Sequence, residues 1–206
     1  MIQKNVTIIE KARELYFKFG IKSITMDDVA REIGISKKTL YKEVKNKTEL
    51  VEKVIDFEIE KRTGEFKEFD KSKLNAIEEL FKVHRHIKFS LEEHNPSMHY
   101  DLRKYYPEIF KKLQENKRKK MAQSLIKNLK KGKKEGLYRK EINNEIIALI
   151  QVSRAENVTE STCVPVRDYV SSKFFSELFI YHIRGIANSK GIRFLEDNIE
   201  QILIRE

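Results

Sequence analysis

Glycine and proline are scarce in this chain, and their scarcity limits the folds that it can adopt. The 206 residues include seven Gly and three Pro, which are too few to supply the turns between the many short strands of a β-sandwich or β-barrel. Apolar residues instead recur three and four positions apart, as they do along one face of a helix. The sequence therefore predicts an all-α protein.

Local signals predict where the first helices begin and end. An apolar face over residues 5–19 predicts the first helix, which Gly20 ends. The next two helices begin at the N-cap residues Thr25 and Ser36. A capping box that starts at Asn46 opens a fourth helix, so three short helices fit within the first 46 residues.

The rest of the chain predicts longer helices. Two prolines occupy first-turn positions, and a loop is expected between Gly132 and Gly136. The expected helices cover residues 47–69, 73–91, a short segment from Pro96, a long segment from Pro107 to Lys131, 143–159, 166–187 and a final amphipathic segment.

The charge of the chain is unevenly distributed. The net charge is +10, and residues 111–140 contain 13 Lys and Arg against 2 Asp and Glu. Such a run can bind nucleic acid or can simply be the solvated face of a long helix. The single Cys163, the lack of a signal-peptide pattern and an apolar run of only five residues at 146–150 predict a cytoplasmic protein without a membrane span.

Residues 24–50 carry the strongest functional signal. Ala30 is small enough for two helices to approach, and Gly34 suits the tight turn between them. The second of these helices would then present an outward face to a DNA major groove. That face consists of Lys37, Lys38, Thr39, Tyr41 and Lys42. The spacing alone fits an ordinary helical hairpin with a basic surface equally well.

Residues 19–41 read F-G-x-x-x-x-T-x-x-D-V-A-x-x-x-G-I-S-x-x-T-L-Y, and N-K-x-x-L follows at residues 46–50. This pattern resembles the DNA-binding domain of the TetR (tetracycline-repressor-like) transcriptional regulators. The resemblance implies a helix-turn-helix domain over residues 1–46 and a larger helical domain for effector binding and dimerisation over 47–206. It also implies a homodimer that binds a near-palindromic double-stranded operator and that a small, largely apolar effector releases.

The resemblance also implies roles for individual residues. Thr25, Tyr41 and Lys47 would hold phosphates, while Lys37, Lys38, Thr39 and Lys42 would face base edges, with Ser36 beside them. The family usually has an aromatic residue or His followed by Phe shortly after the tyrosine, whereas this chain has Glu43 and Val44. Glu43 would turn away from DNA, read a cytosine amino group or weaken nonspecific binding.

Two further sets of residues are candidate sites. Ordinary core packing explains the first set equally well, and the alternative for the second set is a fully buried core helix. The resemblance places the effector pocket around Phe81, His84, Met98, Leu102, Tyr105, Tyr106 and Phe110. The strongly apolar segment 166–187 would pack on the core and on a dimer partner, through Phe175, Leu178, Phe179 and His182.

Other classes of function have weaker support in the sequence. His84 and His86 lie two positions apart and so point to different helix faces, which argues against a metal site with His94 and His99. There is no glycine-rich phosphate loop or nucleophile elbow, so no catalytic residue or cofactor is expected. The remaining alternatives are a nonspecific nucleoid-type DNA-binding protein that uses residues 111–140, and a helical small-molecule carrier or enzyme.

Overall fold

The computed structural model describes residues 2–69, 73–92, 96–156, 164–169 and 171–203. These ranges are mainly helical, which confirms the expected all-α class, and their one β-type pairing is an isolated bridge between Tyr138 and Ala187. The helices are α1 (Ile2–Phe19), α2 (Met26–Ile33), α3 (Lys37–Glu43), α4 (Lys47–Phe69), α5 (Ala76–Glu92), α6 (Pro96–Tyr105), α7 (Pro107–Lys134), α8 (Asn144–Glu156), α9 (Val166–Tyr169), α10 (Ser172–Ile186) and α11 (Ser189–Leu203).

The first compact unit consists of Met1–Glu65 and Asn95–Asn116. Its core joins the apolar faces of α1 to α4 with residues of α6 and the start of α7. Met98, Leu102 and Ile109 are buried in that core, although they lie far along the chain from the first four helices. The predicted domain boundary after residue 46 therefore does not coincide with the edge of this core, and that boundary stays a prediction.

The second compact unit consists of Phe66–His94 and Lys117–Glu206. Its core contains the apolar faces of α5, α10 and α11 together with the buried ring of Tyr138. Helix α7 continues through Gly132 to Lys134, so the expectation that Gly132 would flank a loop is wrong. A Cβ atom at Gly132 would lie 2.1 Å from the Tyr138 ring, so only glycine fits beneath that ring.

Capping residues explain two further differences from the expected helices. Helix α5 begins at Ala76 because the Asn75 side chain accepts hydrogen bonds from the backbone N–H groups of residues 77 and 78. The segment expected as one helix over 166–187 is two helices, because Ser171 caps α10. In the part of the chain that is described, no helix combines the length and apolar character needed to cross a bilayer.

Candidate nucleic-acid interface

Helices α2 and α3 form a capped pair that meets at a glycine turn. Thr25 caps α2 in a complete capping box with Asp28. Gly34 ends α2 with φ of +75°, a conformation that glycine adopts without the steric cost of a side chain. The N–H of Ile35 then donates to the Ala30 carbonyl at 3.0 Å. The turn thus follows directly from local residue types, as expected from the sequence.

Helix α3 is fixed to the rest of the first unit on one side and exposed on the other. Ser36 caps it by accepting a hydrogen bond from the Thr39 N–H at 3.1 Å. Leu40 and Val44 are fully buried in the core. The opposite side, which we call the α3 face, consists of the exposed residues Lys37, Lys38, Tyr41 and Lys42, with Thr39 half-buried beside them.

The charges of the α3 face are not equivalent. Lys37 forms an ion pair with Asp27 of α2 at 2.9 Å, and this hydrogen bond raises the pKa of Lys37. Lys38 and Lys42 have no carboxylate at ion-pair distance among the described residues. The two free lysines therefore carry most of the available positive charge of this face. The sequence pattern did not single out Asp27.

Two of the predicted phosphate contacts, Thr25 and Lys47, both interact with the Asp28 carboxylate. The Thr25 hydroxyl donates to the Asp28 carboxylate at 2.6 Å, and this bond lowers the pKa of Asp28. The Lys47 ammonium donates to the Lys22 carbonyl at 3.4 Å, in the loop between α1 and α2. Burial lowers the pKa of Lys47, while the carboxylates of Asp101 and Asp28 oppose that shift.

Helix α6 contacts the same loop, and the sequence had not indicated this contact. The buried Asp101 accepts a hydrogen bond from the Lys22 N–H at 2.7 Å. Tyr105 lies one turn further along α6, is exposed, and has its ring 5.0 Å from the Lys22 ammonium. Tyr105 was predicted as a pocket residue, but its observed contacts are with surface lysines.

The structure divides the predicted effector-pocket residues between the two cores. Met98 and Leu102 are buried in the first unit, with Tyr106 and Phe110 packed against them. Phe81 and His84 belong to the second unit, on α5. The seven residues therefore do not line one core.

Three of the four predicted dimer residues pack inside the second unit. Phe175 and Phe179 are buried, and the Phe175 ring stacks on His84 with 3.6 Å between ring centroids. His182 is buried, and its Nδ1 lies 2.6 Å from the amide nitrogen of Gln151 on α8. These three side chains face the core of their own chain, because α10 packs against α5 and α11. Leu178 is half-buried.

The half-buried His84 and the buried His182 are uncharged at neutral pH. Burial lowers the pKa of His84 to about 4, although its Nε2 lies 2.8 Å from the Phe175 carbonyl. Burial and the positive charge of Arg154 lower the pKa of His182 to about 4. Within the described ranges, no three His, Cys, Asp or Glu side chains are grouped as a metal site, and His94 lies outside those ranges.

The capped helix pair, its glycine turn and the α3 face form a helix-turn-helix, an arrangement in which the second helix can enter a DNA major groove. A family model described as bacterial regulatory proteins, tetR family, matches residues 8–54, which include most of α1, all of α2 and α3 and the start of α4. Over these residues the chain is similar to that family of bacterial regulatory proteins. No curated protein matches the chain.

Solved structures share the fold over most of the chain. A transcriptional regulator from Cytophaga hutchinsonii ATCC 33406 has a TM-score of 0.74 at 18% identity, covering 90% of this chain and 99% of that one. A gamma-butyrolactone receptor (ArpA-like protein) has a TM-score of 0.63 at 15% identity, covering 98% and 95%. The ketosteroid transcriptional regulator KstR2 of Mycobacterium tuberculosis has a TM-score of 0.57 at 16% identity, covering 90% and 96%.

Proposed function

We propose that the protein is a homodimeric cytoplasmic repressor that binds a near-palindromic operator and that a small effector releases. The α3 face carries the proposal, because Lys38 and Lys42 are exposed and without an ion-pair partner in the described part of the chain. Free lysines on a short exposed helix can reach base edges and phosphates in a major groove. In this proposal the chain performs no catalysis and needs no cofactor.

Control by an effector is supported by proteins of the same fold. One structural neighbour is named a gamma-butyrolactone receptor, and another a ketosteroid transcriptional regulator. An effector can act only by binding one conformation of the protein more tightly than another. The coupling between effector and operator should then be reciprocal, at a typical value of about 1–3 kcal/mol.

Exposed apolar residues on α8 and α10 support self-association. Ile146, Leu149 and Ile150 share one face of α8 and are 55%, 66% and 54% exposed, and Tyr181 on α10 is 76% exposed. Water contact with such a patch is unfavourable, so patches of this kind mark interaction surfaces. A second copy would bury the same patch on both chains in a two-fold interface.

The alternative, nonspecific binding through residues 111–140, has less support because carboxylates neutralise part of that segment. Lys112 contacts both Glu52 and Asp56, at 3.1 and 3.0 Å. Arg118 contacts Glu156 at 2.6 Å, and Lys131 pairs with Glu79. Basic groups engaged in this way are less available to a phosphate backbone.

In vitro selection from a random duplex DNA library tests the proposal. A dimeric helix-turn-helix protein should enrich an inverted repeat with half-sites about one helical turn apart, roughly 34–36 Å. Footprinting of the enriched duplex should then show a short symmetric protected region. Uniform recovery of all sequences, with protection along the whole duplex, would favour the nonspecific alternative.

A further inference from the structure

Arg154 on α8 is a charged side chain in a sheltered part of the second unit. Its Nε is shielded from solvent and has no hydrogen-bond acceptor among the described residues, and none of their carboxylates forms an ion pair with the guanidinium. Withdrawing a charge from water without a partner is costly. Arginine nevertheless keeps its charge at neutral pH, even though burial lowers the pKa of Arg154.

The groups around Arg154 do not compensate its charge. Arg154 follows Gln151 by one turn of α8, and the Gln151 amide nitrogen lies 2.6 Å from His182 Nδ1 on α10. The positive charge of Arg154 contributes to the lowered pKa of both His84 and His182. Tyr169 is the one titratable group in the described ranges whose interaction favours the charged guanidinium, and burial raises the pKa of that phenol. At neutral pH the described groups around Arg154 are therefore polar but uncharged, and none of them compensates its positive charge.

Aromatic rings from α5, α9 and α10 lie next to these polar groups. Phe175 stacks on His84, Phe179 lies 5.2 Å from the same imidazole, and Phe81 meets Phe179 edge-on at 5.3 Å. The Tyr169 ring is 6.5 Å from that of Phe175, in an edge-on arrangement. A single cation beside apolar rings and neutral hydrogen-bonding groups is complementary to an apolar molecule that carries one anionic group.

We propose that Arg154 binds the carboxylate of a small effector whose apolar body lies against the aromatic side chains of α5 and α10. The inference rests on the effector control proposed above and narrows the chemical class of the effector. A guanidinium matches the two oxygens of a carboxylate with parallel N–H donors, which a single ammonium does not do. The ligand thereby supplies the negative charge that the described residues around Arg154 do not provide.

The site differs from the pocket expected from the sequence in position and in chemistry. Of the seven predicted pocket residues, Phe81 and His84 remain, and they are joined by Phe175, Phe179 and His182, which were predicted for the dimer interface. The expected effector was largely apolar. The positive charge of Arg154 implies that the effector also carries an acidic group.

Calorimetric titration of the full-length protein with matched acids and amides tests the site. The probes are phenylacetate and octanoate, each compared with its neutral amide, phenylacetamide and octanamide. At least one acid should bind about tenfold or more tightly than its amide, since a charge-assisted pair is lost with the amide. Arg154→Gln should abolish this preference, whereas Arg193→Gln, at an exposed position of α11, should keep it.

The titration can rule out carboxylate binding by Arg154 without ruling out control by an effector. Equal binding of acid and amide, retention of the preference in Arg154→Gln, or no binding of either acid at 1 mM would each overturn the role of Arg154. Operator affinity, measured in parallel with the selected duplex, separates the two proposals. An acid that binds through Arg154 without changing operator affinity would support the site and contradict its proposed control of DNA binding.

A stability measurement tests whether Arg154 has a purely structural role. If Arg154 is kept for a ligand, Arg154→Met should leave the thermal midpoint of the ligand-free protein unchanged or raise it, because an uncompensated charge is removed. Phenylacetate should then raise the midpoint of the wild type but not that of Arg154→Met. A fall in the midpoint of the ligand-free variant would show that Arg154 stabilises the fold and would overturn the proposal.

Discussion

The Asp101 carboxylate on α6 accepts a hydrogen bond from the Lys22 backbone N–H at 2.7 Å, across 79 positions of sequence. The carbonyl of the same Lys22 accepts a hydrogen bond from the Lys47 ammonium at 3.4 Å. A helix outside the predicted DNA-binding domain therefore fixes the loop on which a predicted phosphate contact rests. Because Asp101 is buried, removing its side chain would leave the Lys22 N–H without this acceptor.

Substitution of Asp101 should weaken operator binding through this loop. Asp101→Ala is expected to cost about 1–3 kcal/mol of unfolding free energy, since a part-buried hydrogen bond to a charged acceptor is lost. Asp101→Asn keeps an acceptor oxygen and should retain most of that stability. Urea unfolding and fluorescence anisotropy on the selected duplex measure both effects. Equal operator affinity for the alanine variant and the wild type would show that the loop does not position the DNA contacts.

Two lysines should have different effects on DNA recognition. Lys47→Ala should weaken binding to operator and to random DNA alike, and lower the salt slope by about one unit, since a phosphate contact carries no sequence information. Lys38→Ala should instead reduce the preference for operator by roughly 1–3 kcal/mol if it reaches a base edge. Salt titrations on both duplexes measure these effects, with Lys130→Ala on α7 as an exposed control. A large loss in that control would favour residues 111–140 as the DNA surface.

A charge on the exposed face of α8 should dissociate the proposed dimer. Leu149→Glu places a carboxylate on a side chain that is 66% exposed in the single chain, so the protomer should stay folded while the interface loses its apolar contact. Light scattering should then report a monomer at micromolar concentration. Phe179→Glu buries a charge in the core and should give insoluble protein instead. A Leu149→Glu protein that remains dimeric would place the interface elsewhere.

His84 and His182 should make folding stability depend on pH. Their pKa values of about 4 in the folded protein lie below the unfolded value of about 6.5. The unfolded state therefore binds more protons between pH 6.5 and 4, and stability is full above pH 6.5 and is lost as the pH falls toward 4. The loss approaches about 1.4 kcal/mol per pH unit for each histidine.

Urea unfolding at several pH values checks the effect of the histidines. His182→Gln should show a shallower loss of stability than the wild type between pH 6.5 and 4. Above pH 7.5 the difference between the two proteins should not change with pH, because both imidazoles are then neutral in either state. Parallel curves through the acid range would contradict the depressed pKa of His182.

Two helical glycines should respond in opposite ways to alanine. Gly132→Ala would place a methyl group 2.1 Å from the Tyr138 ring, so we expect a loss of about 1–3 kcal/mol in unfolding free energy from overpacking. Gly185→Ala meets no atom within 4 Å in α10, and its helix propensity should make it neutral or stabilising by up to about 1 kcal/mol. Thermal unfolding of both variants measures the contrast.

The helix-turn-helix could be predicted from the sequence because its determinants are local. Thr25 and Ser36 cap the helices that follow them, and Gly34 adopts the left-handed conformation that ends α2. Each of these features depends on interactions within a few residues, so residue type and spacing suffice to predict them. The burial of Leu40 and the exposure of Lys38 then follow from the helical period.

The candidate effector site could not be predicted, because helical periodicity identifies an apolar face but not the element that covers it. Phe175 and His182 had the pattern of an interface, and the tertiary structure covered them with α5 and with Gln151 of α8. The same packing placed Arg154 beside two imidazoles and left its Nε without an acceptor. The sequence by itself determined where helices begin, end and turn, since those choices depend on neighbouring residues. Only the tertiary structure decided which faces meet, since that depends on packing between residues distant in the chain.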